Sequence, residues 1–207
     1  MDKKIINSYW HCSGRKKHIM ETLKKRILKD GKVIDGNILQ VSSFLNHMVD
    51  IQLLSDIGKE FVSIFSDYHP TKIITIEASG ISIATVCALE LKIPFIFVKK
   101  NYSSNIPDDV YSTDVFSYTK QKSFSICVSK EFINCNDRLL IIDDFLASGS
   151  ALNGIIHIIK EANATLIGVG ICIEKTYQKG ASNLLSQGVN LHSLVKIKSL
   201  EGGIMIF

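Results

Sequence analysis

Apolar residues along the chain fall into two alternating periods. Over residues 51–68, Leu54, Ile57, Phe61, Ile64 and Phe65 recur every three or four positions, the spacing of a helix with one buried stripe. Lys72 to Glu77 (KIITIE) is a short run of β-branched residues and predicts a buried strand. A helix is predicted over 80–91 and a strand over 93–98. The exchange repeats downstream: strand over 138–143 (RLLIID), helix over 150–162, strand over 165–174 (TLIGVGICIE), helix over 181–187 and strand over 189–196. Strands that are aliphatic nearly throughout, not at every second position, are the kind covered on both faces. The pattern therefore predicts an α/β fold, a central, mostly parallel sheet flanked by helices. Ahead of it, residues from Met20 read as a short amphipathic helix, with Leu23, Ile27 and Leu28 on one side and Lys24, Lys25, Arg26 and Lys29 on the other, stopped by Gly31.

The rhythm breaks between Lys99 and Ser129. This stretch is rich in Ser, Asn, Asp and Tyr, carries a turn signal at Asn105-Ile106-Pro107-Asp108-Asp109, and then alternates (Val115, Ser117; Phe124, Ile126, Val128) like an antiparallel hairpin. A polar excursion of that length inside a compact domain suggests a functional lid or a disordered tip. Residues 1–19 have no period and are expected to be an extension, with 20–207 a single domain. Composition agrees: 46% apolar and 21% charged residues over 207 positions support a full core and exclude disorder as the dominant state. The net charge of +4 is small and gathered near the N-terminus, so no nucleic-acid surface is expected.

No apolar run approaches the ~18 residues of a membrane helix, and Met1 to Met20 lacks the apolar core of a secretory leader. A cytoplasmic protein without a membrane partner is expected. The 5 cysteines are odd in number and form no CxxC, which favours buried thiols. The 6 histidines show no HxxxH or HExxH spacing, so no metal site built by the protein alone is expected.

The most specific segment is Leu139 to Ala151, Leu-Leu-Ile-Ile-Asp-Asp-Phe-Leu-Ala-Ser-Gly-Ser-Ala. An aliphatic strand ends on two carboxylates, Asp143 and Asp144, followed by a small-residue turn into a helix. Ligands of open α/β sheets bind at the carboxyl ends of the strands. A small-residue loop at a helix N-terminus offers backbone N–H groups to a phosphate, while carboxylates suit hydroxyls. An acidic pair alone is as well explained by a strand-end turn. Joined to this loop, it asks for one ligand bearing both a diol and a monophosphate, and ribose 5-phosphate fits.

The segment resembles the signature of the type I phosphoribosyltransferases: an aliphatic strand, two acids, two apolar residues, then Ala-Thr/Ser-Gly and small residues. It is not a Walker loop, since no GxxxxGK[ST] occurs. Glu77-Ala78-Ser79-Gly80 is similar to that family's pyrophosphate loop. Ser42-Ser43-Phe44-Leu45-Asn46-His47, Ser117-Tyr118-Thr119-Lys120-Gln121 and Ile173-Glu174-Lys175-Thr176-Tyr177 add a likeness to the bacterial xanthine phosphoribosyltransferases, from Met20 to near Leu200.

The resemblance implies the family fold, with a hood built from both termini and an inserted flexible hairpin loop. It implies transfer of phosphoribosyl from 5-phosphoribosyl 1-diphosphate to xanthine, with Mg²⁺ carried by the diphosphate, in a homodimer. Asp143 and Asp144 would be catalytic, Ala147, Ser148, Gly149, Ser150 and Ala151 would hold the phosphate, and Leu39, Asn46 and Lys175 the base. Xanthine is an acidic purine with oxo groups at positions 2 and 6, which an ammonium at Lys175 favours over an amino-bearing base. Read without the resemblance, Lys175 is more simply a solvated lysine past a strand end and Asn46 a turn residue. The family's closing loop commonly carries basic side chains where Asn101 and Tyr102 stand here, after Lys99 and Lys100. The alternatives are an adenine or hypoxanthine/guanine phosphoribosyltransferase, a purine-responsive transcriptional regulator on the same fold, and an interaction domain with a degenerate site.

Overall fold

The computed structural model describes residues 19–35, 38–100, 109–117, 122–203 and 205–207. The chain enters on helix α1 (described over 19–30), then a two-stranded antiparallel hairpin of β1 (Lys32–Ile34) and β2 (Ile38–Gln40), then helix α2 (Ile51–Phe65). The central sheet follows, from β3 (Lys72–Ile76), helix α3 (Gly80–Leu91), β4 (Phe95–Lys100), β5 (Val110–Ser117), β6 (Lys122–Ser129), β7 (Arg138–Leu146), helix α4 (Ser150–Glu161), β8 (Thr165–Lys175), helix α5 (Gly180–Ser186) and β9 (Leu191–Ile197). Its 7 strands lie in the order β5-β6-β4-β3-β7-β8-β9. The pairs β4/β3, β3/β7, β7/β8 and β8/β9 are parallel, and β5/β6 joins β4 antiparallel at Lys99↔Cys127 and Lys100↔Ile126. The predicted parallel sheet and inserted hairpin are both present.

Adjacent residues of one strand enter different cores. Leu140 and Ile142 pack with Ile57, Phe61 and Ile83 on the α2/α3 side, while Leu139 and Ile141 pack with Ile155, Ile158 and Leu184 on the α4/α5 side. This double coverage is why the strands read as unbroken aliphatic runs. Strand β8 carries Gly168 and Gly170 where α2 comes close: a Cβ on them would stand 2.5 Å from Phe65 Cε1 and 2.9 Å from Phe61 Cδ1.

The hood is assembled from both ends of the chain. Ile19, Leu23 and Ile27 of α1 are buried at intervals of four, and Met205 and Phe207 pack against the same cluster. Arg26 bonds Asp30 (2.7 Å) and Asp50 (3.0 Å), and Asp50 caps α2 by accepting from Leu53 N–H (3.1 Å). Two expectations need correction here. Leu28 is 54% exposed, because the buried stripe runs 19-23-27 and not 23-27-28. Ile19, expected in the extension, is buried in α1 and belongs to the domain; residues 1–18 of that expected extension lie outside the described residues. Strand β4 starts at Phe95, two positions late, since the Ile93 N–H still donates to Ala88 of the preceding helix (3.2 Å).

Candidate active site

Two loops leave adjacent parallel strands at the same edge of the sheet. The loop after β3 is Glu77–Ser79 and the loop after β7 is Ala147–Gly149, and β3 pairs with β7. From this pair the chain fills the sheet in opposite directions, β4 on one side and β8 and β9 on the other. Such a reversal of strand order opens a crevice at the carboxyl ends. Helices α3 and α4 start there. Neither has a side-chain N-cap bond or an acidic residue in its first turn, whereas α2 is capped by Asp50. Ile81 N–H of α3 donates to Ala78 O (3.2 Å) and Ser150 N–H of α4 lies 3.5 Å from Ser148 Oγ; no protein acceptor for the remaining first-turn amides is found among the described residues, and these can meet an anion.

Gly149 is the N-cap of α4, with φ +80, and lies against Gly180 at the start of α5. The Gly180 N–H donates to Ala147 O (3.1 Å), and a Cβ on Gly180 would stand 2.3 Å from that oxygen. The small-residue loop is thus clamped by backbone from a helix that follows the next strand. Ser148 and Ser150 hydroxyls lie 3.1 Å apart across it. The five residues expected to form this loop, Ala147 to Ala151, are contiguous at the helix start, and Ser148 stands four positions after Asp144, a reach of at most ~14 Å.

Asp143 and Asp144 are each 6% exposed. They lie within β7, which runs on to Leu146, where the expected strand ended at Asp143: Phe145↔Ile173 and Leu146↔Glu174 continue the pairing with β8. Asp143 Oδ1 accepts from Asp144 N–H (2.9 Å) and Asp144 Oδ1 from Phe145 N–H (2.9 Å). Burial, then the charge of Asp144, pushes the Asp143 carboxyl well above its ordinary value. Gly80 at the start of α3 closes on this acid: a Cβ there would lie 1.9 Å from Thr75 Oγ1 and 2.9 Å from Asp143 Oδ1. The Thr75 hydroxyl is buried without a hydrogen-bond partner among the described residues. Glu77 Oε1 accepts from Lys100 N–H (2.5 Å), which ties the first loop to β4, and the Lys100 ammonium stands over the Phe124 ring of the hairpin at 6.0 Å. Asn101 and Tyr102, expected in the closing loop, lie outside the described residues.

The three residues expected to meet the base are placed differently from one another. Lys175 ends β8, its ammonium 5.7 Å from the centre of the ring of Phe145, the residue after the acids, and burial lowers its pKa. Leu39 is the middle of β2 with its side chain 5% exposed in the α2-side core, so its backbone is the part directed elsewhere. The Asn46 amide donates to Asp144 Oδ2 (3.0 Å), a bond that joins the turn after β2 to the acidic pair. Phe145, Thr75 and Gly180 were not picked out by sequence reasoning. Their roles come from neighbours far along the chain. Among the described residues no cluster of three or more His, Cys, Asp or Glu could hold a metal; the buried carboxylates at the end of β7 are Asp143 and Asp144.

A family model described as a phosphoribosyl transferase domain matches residues 48–187. The xanthine phosphoribosyltransferase of Clostridium novyi is 50% identical over 188 residues, 91% of this chain and 99% of that protein. The protein of the same name from Finegoldia magna is 48% identical over 188 residues, with the same shares covered. Among solved structures, the adenine phosphoribosyltransferase of Rhodothermus marinus is similar with a TM-score of 0.71 at 22% identity, covering 87% of this chain and 99% of that one. That last likeness speaks to the fold alone.

Proposed function

The chain belongs to the phosphoribosyltransferase family, and from that premise we propose that it is a pentosyltransferase that joins xanthine to the phosphoribosyl group of 5-phosphoribosyl 1-diphosphate, giving XMP and diphosphate in purine salvage. The observation that carries the reading is the placement of two buried carboxylates and an uncapped helix start at the carboxyl edge of one strand, β7. In this reading the Ser148 to Ala151 amides bind the 5-phosphate and Asp143 and Asp144 accept from the ribose hydroxyls. As diphosphate departs, C1 gains positive charge, and a carboxylate already held beside the ribose lowers the energy of that state without reorganisation. N9 of the base then bonds to C1 from the opposite face as the C1–O bond to diphosphate breaks, and the proton the base loses from its imidazole ring passes to solvent. The open start of α3, beside Glu77 and Ser79, faces the departing diphosphate.

Hard oxygen ligands suit Mg²⁺, which commonly uses one or two carboxylates and substrate phosphates. Asp143 and Asp144 are the residues here that fit it, through the ribose hydroxyls, and when bound the ion neutralises diphosphate charge.

Base choice rests on Lys175. A half-buried ammonium has lost part of its hydration and gains most from an anionic partner, and xanthine gives up a proton more readily than the other common purines. Asn46 presents amide groups, Leu39 a backbone group, and Phe145 an apolar ring under Lys175. The names of the relatives that this chain matches at 45–50% identity support the same base. The test is turnover with xanthine, guanine, hypoxanthine and adenine in the presence of Mg²⁺. Xanthine is expected to give the highest kcat/KM, and a preference for adenine or hypoxanthine would overturn the assignment of Lys175.

A homodimer is part of the proposal. Leu89 (71% exposed), Phe97 (38%) and Phe132 (48%) border two cavities, of about 600 Å³ and 430 Å³, that share Pro94 and Phe95 and form one apolar strip across α3, β4 and the end of the hairpin. A second copy covering this strip is the expected occupant. Among the described residues no helix is long and apolar enough to cross a membrane. The four described cysteines are unpaired thiols, three of them buried, which supports a reducing compartment and a cytoplasmic enzyme. Relatives matched to 99% of their own length leave about 19 residues of this chain uncovered, which supports reading residues 1–18 as an extension to the catalytic domain. A chain starting at Ile19 is expected to keep its activity.

A further inference from the structure

Asn46 stands in a turn whose backbone is already fixed. Phe44 and Leu45 on its N-terminal side are 1% and 0% exposed in the core. Three backbone bonds close the turn: Leu45 N–H to Val41 O (3.0 Å), Met48 N–H to Ser42 O (2.8 Å) and Asp50 N–H to Phe44 O (2.9 Å). What remains to be set is the rotation of the side chain. That rotation is set across 98 residues of sequence by Asp144, whose Oδ2 accepts from Asn46 Nδ2 at 3.0 Å. An ionised carboxylate accepts and cannot donate. Turning the amide over would aim its carbonyl oxygen at the carboxylate, oxygen against oxygen. Asp144 therefore dictates which side of Asn46 carries the carbonyl and which the second N–H.

The capacities on both sides leave room for substrates. A carboxylate offers about four acceptor directions. Two are used on Asp144, by Phe145 N–H and by Asn46, and the Asp143 carboxyl comes within side-chain hydrogen-bonding reach of it, which still leaves a direction for a sugar hydroxyl. The Asn46 amide has one N–H committed and keeps one N–H and its carbonyl oxygen. A sugar hydroxyl on Asp144 and a base edge on Asn46 can thus be held together through one shared bond.

We propose that Asn46 is a positioning residue that couples the sugar site to the base site, so that a ribose 5-phosphate held by Asp144 raises the affinity for xanthine. This rests on the phosphoribosyl-transfer reading. Binding at the two sites is linked reciprocally: whatever factor the sugar phosphate applies to xanthine, xanthine applies to the sugar phosphate. The coupling also makes the base specificity depend on Asp144, because a loosened amide could present donor and acceptor in either order.

Calorimetric titration tests this without turnover, since xanthine and ribose 5-phosphate do not react. Xanthine is titrated into the wild type and into Asn46→Ala, each with and without saturating ribose 5-phosphate, after thermal melting confirms that both are folded. In the wild type, ribose 5-phosphate is expected to tighten xanthine by about fivefold or more, the low end of ordinary coupling. In Asn46→Ala, xanthine binds more weakly and the ratio falls to within about twofold of one. A residue that only touches the base would lower xanthine affinity and leave the ratio intact, and that result would overturn the proposal, as would a ratio of one in the wild type. A wild type that does not bind ribose 5-phosphate at all would overturn the phosphoribosyl reading itself, and the coupling with it.

Discussion

Gly149 and Gly188 both have a positive φ, +80 and +76, but different surroundings. A Cβ on Gly188 would meet nothing within 4 Å, while one on Gly149 would lie 3.0 Å from Gly180 Cα, 3.5 Å from Gly180 O and 3.6 Å from Gly180 C. Gly188→Ala isolates the conformational cost of an L-residue in the left-handed region, about 1–2 kcal/mol. Gly149→Ala adds a carbon–carbon contact well inside the usual ~3.5–4.0 Å separation, against backbone that cannot withdraw without breaking the Gly180 N–H to Ala147 O bond. Overpacking of this kind costs about 1–3 kcal/mol more. The loop can escape by turning Gly149 out of the left-handed region, which moves the Ser148 to Ser150 amides off the phosphate. Losing one hydrogen bond to a charged group costs about 1.5–3 kcal/mol, or about ten- to a hundredfold in affinity. Steady-state kinetics and thermal melting of the two variants read both terms. Gly149→Ala is expected to raise KM for 5-phosphoribosyl 1-diphosphate at least tenfold, and Gly188→Ala to lower stability without changing that KM. Equal KM values in Gly149→Ala and wild type would refute the phosphate loop.

Asp143→Asn is expected to abolish most turnover while raising the thermal midpoint. Because burial and Asp144 raise the Asp143 pKa in the fold, its favourable contribution is complete below the unfolded value and is lost as pH rises through the folded one, so the variant's advantage should grow as pH rises above the ordinary carboxylate range. At the far end of the sheet, burial raises the Asp137 pKa, but its bonds with Lys72 (2.8 Å), Asn134 N–H (2.9 Å) and Thr71 (3.1 Å) outweigh this and hold it below the ordinary value. That stability is present above the unfolded pKa and lost as pH falls through the folded one. Lys72→Met should therefore cost about 3 kcal/mol near neutrality, with the gap from wild type narrowing in acid denaturation profiles toward pH 2; a gap constant with pH would contradict it. Lys175→Ala is expected to lower the preference for xanthine over hypoxanthine by about tenfold or more in competitive turnover, the worth of one charged hydrogen bond; unchanged relative specificity would remove Lys175 from the base site.

The sheet was legible because Leu139 to Ile142 and Leu166 to Ile173 are aliphatic on both faces, and only a doubly covered strand needs that. The acidic pair and its loop were legible because they are contiguous. What was not legible depends on distance along the chain or on shortness. Strands β1 and β2 have three residues each, too few to show a period. β7 looked finished at its acids, yet Phe145 and Leu146 continue it because β8 supplies partners for them. Gly180 resembles any helix start until its contact with Ala147 and Gly149 is seen, and nothing near Asn46 in the sequence announces Asp144. Leu28 misled because on a helix it lies beside Ile27, about 100° around the axis from the buried stripe.

In the proposed reaction the acids hold a sugar whose phosphate is held by neighbouring amides. Equilibrium titration of ribose 5-phosphate and of inorganic phosphate into the wild type and into an Asp143→Asn, Asp144→Asn double variant addresses this directly. The prediction is that the double variant loses at least tenfold in affinity for ribose 5-phosphate and keeps its affinity for phosphate. Equal ribose 5-phosphate affinity in the two proteins would contradict it.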